Sequence, residues 1–207
     1  MRRMLNVSLC LLTLYSFGCR HAELRDGDIV FHRSKSRQST AIRLATGSDI
    51  THMGMIVMRK GKPYVFEAVS PSSRPRANRV GLTPYADWVR RGKDNEVWIK
   101  RLTKGLTTAQ LKKMQAVGKS LRGKRYDRLF QWDDSTIYCS ELVYDVYHRG
   151  AGVSLGEVQR VSELNLKPAP VRALIKERLG KKLDLDEKII TPIAIFNDPK
   201  LESVYAP

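Results

Sequence analysis

The sequence predicts an α+β domain, an antiparallel sheet packed against helices. Strand-like segments come first and the longer helical segments later, and their order does not alternate as βαβ units would. The chain has 207 residues and 42% hydrophobic content, enough for one domain with its own core.

Taken in order, Arg25-Asp26-Gly27-Asp28 is a turn signal, followed by a short strand at 29–32. Residues 38–46 read as a short helix with Ile42, Leu44 and Ala45 inward. Two strand-like runs, 52–59 (HMGMIVMR) and 62–69 (KPYVFEAV), meet at Lys60-Gly61, which predicts a two-residue hairpin. Thr83 before Pro84 reads as a helix cap with proline at the first helical position, opening a helix to Arg91. Residues 96–101 alternate as a strand. Thr107 caps a helix to Leu121, with Leu111, Met114 and Val117 at helical spacing and Gly123 as its stop. Residues 139–148 form a helix with Leu142, Val143 and Val146 on its buried stripe. Pro168 and Pro170 bracket a helix at 171–179, and the tail from Leu183 reads as loops with one apolar run at 193–196.

The N-terminus has the layout of a secretory signal peptide, residues 1–18, ahead of one domain at 19–207. Arg2 and Arg3 precede a short apolar run, and Ser16 and Gly18 place small residues before Cys19. Cys19 resembles the lipid acceptor of a bacterial lipoprotein, although Ser16 stands where Leu is usual and Phe17 is bulkier than typical. Two outcomes follow: lipidation tethers the mature chain to a membrane, or ordinary cleavage occurs at the same bond. Either one places the protein in the periplasm or cell envelope.

The net charge of +16 calls for an anionic partner. Loss of the leader leaves 35 Lys+Arg against 21 Asp+Glu, or +14. Export directs that charge towards an anionic envelope surface. The basic runs lack interleaved aromatics, which argues against nucleic acid. Concentrations at 74–79, 90–93 and 119–128 read as solvated surface. HExxH, paired CxxC and phosphate-loop motifs are absent from the sequence, so neither a metal nor another cofactor is expected.

Cys139 is the first candidate for chemistry. It begins a helical stripe, where unpaired N–H groups and the helix dipole favour a thiolate. A thiolate nucleophile needs a base. His21 lies in the mature N-terminus, His32 reads as a solvated strand end, and His148 is too far along the helix from Cys139. His52 opens an otherwise apolar strand. With a two-residue turn, Gly54 faces Glu67, so His52 and Glu67 are diagonal neighbours on one face of the hairpin. A carboxylate there orients the imidazole and stabilises its charged form.

Three segments, His52-Met53-Gly54-Met55, 64–69 (YVFEAV) and 138–142 (YCSEL), together resemble the YiiX/YaeF family. These are circularly permuted relatives of the NlpC-type cell-wall peptidases, within the papain-like cysteine hydrolases. The likeness extends through 24–29, 123–127 and 162–199, nearly the whole mature chain. It implies a permuted papain-like fold with Cys139 as nucleophile, His52 as general base and acid, and Glu67 as orienting residue. Tyr138 and the backbone N–H of Cys139 become candidate oxyanion donors. The implied activity is amide hydrolysis on a peptidoglycan peptide or an N-acyl or lipid-linked substrate. An acyltransferase using the same Cys-His pair, or a non-catalytic envelope binding module, are the alternatives.

Overall fold

A computed structural model describes residues 23–70, 78–133, 135–180 and 183–207. The expected leader, Cys19 and His21 lie outside the described residues.

Six antiparallel strands form the main sheet. They are β1 (Ile29–His32), β2 (His52–Arg59), β3 (Lys62–Ala68), β4 (Val80–Pro84), β5 (Trp98–Leu102) and β10 (Leu201–Tyr205), in the spatial order β10-β5-β1-β2-β3-β4. The β2–β3 hairpin has the register that its turn predicts, with Arg59 opposite Lys62 and Met55 opposite Phe66. Lys60 and Gly61 both adopt positive φ, at 47° and 73°, as a two-residue turn with the strands' own twist requires.

Among the described residues, six α-helices flank the sheet: α1 (Arg37–Thr46), α2 (Tyr85–Val89), α3 (Thr108–Leu121), α4 (Cys139–Asp145), α5 (Ala169–Arg178) and α6 (Pro192–Phe196). Thr107 caps α3 in a reciprocal box with Gln110. α4 passes into a wider turn at Val146–Ala151, which packs on α3. Short ladders join β6 (Arg125–Tyr126) to β7 (Thr136–Ile137), and β8 (Gln159–Arg160) to β9 (Lys188–Ile189). The larger core gathers Phe31, Met53, Phe66, Met114 and Leu142, among others. A smaller one on the opposite sheet face holds Val30, Ile56, Val65, Ile99 and Trp88 of α2.

Four sequence expectations change. Thr83 does not cap a helix: it pairs with Val65 inside β4, and Pro84 occupies the cap of α2. The face of α1 that is buried consists of Gln38, Ser39 and Ala41, while Ile42 and Ala45 line a cavity. His32 is not solvated; it is 1% exposed and stacks on Trp88, ring centroids 4.0 Å apart. The tail also contributes β10, an edge strand on β5. Glu202 and Ser203 on that strand are exposed, so it lacks the apolar alternation that marks a half-buried strand.

Candidate active site

β2 and β3 build the first half of the site. His52 starts β2, and its Nε2 donates to Glu67 Oε2 across 2.7 Å. The close approach depends on Gly54. A Cβ at that position would lie 2.4 Å from Val65 Cγ1 and 3.2 Å from Glu67 Cβ.

Glu67 is fully buried, and each of its oxygens is held. Thr83 Oγ1 donates to Oε1 across 2.6 Å, and the Arg91 guanidinium pairs with the same oxygen. Burial alone would raise this carboxyl's pKa. The hydrogen bond and charge of His52, then Arg91 and Thr83, outweigh burial and hold it below the ordinary range. A buried carboxylate needs such partners to stay ionised.

α4 supplies the second half. Tyr138 stands at its N-cap in extended conformation, so Cys139 occupies the first helical position. Cys139 is 3% exposed and lies close enough to His52 to act on the imidazole's ionisation. Since Nε2 faces Glu67, the imidazole presents Nδ1 to the thiol. Burial lowers the His52 pKa, but Cys139, followed by the hydrogen bond and charge of Glu67, raises it to about 9. The imidazole is therefore charged at neutral pH.

The residues flanking Cys139 anchor it. Tyr138 Oη accepts the Ile190 N–H at 3.0 Å, and Ser140 Oγ donates to the Ile190 carbonyl at 2.8 Å. Tyr138 thus has a clamping contact, and its own hydroxyl proton remains free to donate. A second tyrosine, Tyr126 of β6, is also close. It pairs with Ile137, two residues before Cys139, and accepts 2.6 Å from Gln38 Nε2. Burial first, then the charge of Cys139, raise its pKa well above the ordinary value.

Sequence reasoning brings Cys139, His52 and Glu67 together, as the structure does. It misses Thr83, Arg91, Gln38, Tyr126 and His32. Thr83 was within reach: Glu67 faces Gly81, and Thr83 lies two residues further along the same strand face. His32 sits opposite His52, ring centroids 5.2 Å apart. Burial, then the charge of His52, lower its pKa well below the ordinary value. It is a neutral neighbour to a charged imidazole.

Cys139 lines a solvent-open pocket with walls of mostly apolar side chains from α1, α5 and the segment before α6. Ile42, Leu174 and Ile190 are typical of its lining, and two arginines, Arg128 and Arg178, interrupt it.

An antiparallel sheet that carries His and Glu on early strands, ahead of a Cys at the start of a later helix, defines the permuted papain-like class. The family model described as permuted papain-like amidase enzyme, YaeF/YiiX, C92 family, matches residues 23–205, and the chain belongs to that family. It is 40% identical over 201 residues to the uncharacterized protein YiiX of Escherichia coli (strain K12), covering 97% of this chain and 96% of that one. The crystal structure of YiiX from Escherichia coli O157:H7 superposes with a TM-score of 0.82 at 41% identity, covering 89% of this chain and 98% of that chain.

The solved YiiX is described as a metalloprotein. Among the described residues of this chain, no group of three or more His, Cys, Asp or Glu side chains is placed to hold a metal ion. His52 Nε2 is engaged by Glu67, and both Glu67 oxygens are engaged, by His52 on one side and Thr83 and Arg91 on the other. This donor set does not fit a metal.

Proposed function

We propose that the protein is an exported cysteine hydrolase that cleaves the amide bond of an N-acyl substrate, with Cys139, His52 and Glu67 as its catalytic triad. One observation carries the reading: Cys139, at the wall of a largely apolar pocket, lies close to a His52 imidazole that is hydrogen-bonded to Glu67. That lining suits a hydrocarbon chain better than a polar wall peptide. It therefore favours the N-acyl or lipid-linked class over peptidoglycan.

In this reading the Cys139 thiolate attacks the amide carbonyl, forming a C–S bond and an oxyanion. The backbone N–H of Cys139, at the first turn of α4, has no intrahelical partner and faces the oxyanion. Tyr126, held by Gln38, and Tyr138, held by Ile190, each keep a hydroxyl proton free to donate, and Tyr126 is taken as the second donor. His52 gives its Nδ1 proton to the leaving nitrogen as the C–N bond breaks, leaving a thioester and a free amine. Neutral His52 then takes a proton from water, whose oxygen attacks the thioester. Collapse expels the Cys139 thiolate and frees the carboxylic acid. Glu67 keeps the imidazole oriented throughout and stabilises its charged form whenever it carries the proton.

Residues 1–18 and Cys19 support export to the envelope, with the excess basic charge drawn to anionic surfaces there. Among the described residues, no helix is long and apolar enough to cross a membrane. The test incubates the purified protein with N-dodecanoyl amides and, separately, with purified peptidoglycan, followed by mass spectrometry. Release of dodecanoic acid is expected; release of wall peptides alone would overturn the N-acyl assignment. An unreactive Cys139 with no product from either would favour a binding module.

A further inference from the structure

Arg178, the last residue of α5, lines the same pocket as Cys139. Its guanidinium is half-buried and lies 6.0 Å from the Phe130 ring centroid, with Nη1 donating to the Arg128 carbonyl at 3.3 Å. Its Nε is buried and has no hydrogen-bond partner. Among the described residues it has no carboxylate in salt-bridge contact. The adjacent Glu177 pairs with Arg37 and Arg128 instead, at 3.2 and 3.5 Å.

The acids in the same wall are turned to backbone. Glu187 Oε1 accepts from the N–H groups of Trp132 and Lys188, at 3.1 and 3.2 Å. Asp184 Oδ1 accepts from the Asp186 N–H at 2.9 Å. The pocket therefore contains a guanidinium with an unused donor, whose charge is balanced only at longer range, by Glu177 and Asp127. Its planar fork matches the oxygens of a carboxylate or phosphate. Arg178 and Cys139 line the same pocket, which sets the guanidinium on the side from which a substrate reaches the nucleophile.

We infer that Arg178 binds a compact anionic group, carboxylate or phosphate, carried by the substrate beside the scissile amide. This rests on the N-acyl hydrolase reading and narrows it to acyl amides with an anionic head, such as N-acyl amino acids or N-acyl phosphoethanolamines. The acyl chain occupies the apolar wall and the head group completes the guanidinium's hydrogen bonds.

Calorimetry on the full chain carrying Cys139→Ala tests it without turnover. Three probes share one acyl chain: N-dodecanoyl glycine, N-dodecanoyl phosphoethanolamine and the neutral N-dodecanoyl glycinamide. At least one anionic probe should bind tenfold or more tightly than the glycinamide, and the tighter one identifies carboxylate or phosphate as the group read. Adding Arg178→Gln should erase that preference while the glycinamide affinity stays within about twofold. Arg178→Lys should keep part of it, as a charge without the fork. Melting temperatures confirm that each variant is folded. Equal affinity for all three probes, or a uniform loss in Arg178→Gln, overturns the inference. An Arg178-dependent preference in a protein whose wild type cleaves none of the probes retains the anion site and rejects the hydrolase reading.

Discussion

Cys139 stands between two regions built on opposite rules. On one side, β2, β3 and β4 supply a buried polar chain in which Glu67 has a partner on each oxygen: His52 on one, Thr83 and Arg91 on the other. On the other, α1, α5 and the segment before α6 supply hydrocarbon, interrupted by a guanidinium with an unused donor. The first region holds both Glu67 oxygens, although Arg91 keeps its buried Nε and Nη1 without partners, and it fixes the ionisation of the reacting groups. The second is mostly apolar and selects what they react with. Substitutions in the polar chain should therefore act on kcat and on folding, and substitutions in the pocket on substrate affinity.

The largest expected effect is on the chain itself. Cys139→Ala or His52→Ala should lower kcat by roughly 10³-fold or more, measured as acid released from an N-acyl amide. Retention of most of the activity in either variant would remove the distinction between the two regions.

Next comes the buried ion pair. Glu67→Gln leaves Arg91 buried without its carboxylate, and a loss of about 3–5 kcal/mol in chemical denaturation is expected. Arg91→Gln should cost a comparable amount. The double variant should lose less than the two single losses combined, because the interaction can be lost only once. Strict additivity would show that Arg91 and Glu67 do not act as a unit.

A milder perturbation is pH. The His52 pKa is raised from 6.5 to about 9, so the stability its charged form confers is complete below 6.5 and disappears as pH rises through about 9. The alkaline limb of kcat/KM should fall near the same value, because the leaving amine loses its proton donor. Glu67→Gln removes a negative charge that raises this pKa, so the limb should move to lower pH. A limb unmoved by that substitution would mean that another group titrates.

The smallest effect separates the two tyrosines. Tyr126→Phe should lower kcat by about tenfold with little change in melting temperature, whereas Tyr138→Phe should act mainly on stability, through the lost contact with Ile190. The reverse pattern would return the oxyanion role to Tyr138.

How much of this was legible in the sequence divides along the same line. The hairpin was readable because its turn is local: two residues set the register, and period-two alternation places His52 and Glu67 on one face. Cys139 was readable from its place at the start of a helical stripe. Thr83 and Arg91 were not, because each carries a stronger local signal for something else. Thr before Pro imitates a helix cap, and Arg91 sits in a basic run, 24 residues from its partner Glu67. Burial of a charge at long range leaves no periodic trace. The pocket was hidden for a related reason. Its walls come from segments far apart in the chain, and α1 turns Gln38 and Ser39 inward while Ile42 and Ala45 face the void. This inverts the polarity rule for a surface helix.

The most direct test of the account is capture of the acyl-enzyme. The protein is mixed with excess N-dodecanoyl glycine, quenched in acid within the first turnovers, digested and mapped by mass spectrometry. A dodecanoyl thioester on the peptide containing Cys139, released by hydroxylamine and absent from Cys139→Ala and His52→Ala, is the expected result. Turnover without acylation of Cys139, or acylation that persists in His52→Ala, would contradict it.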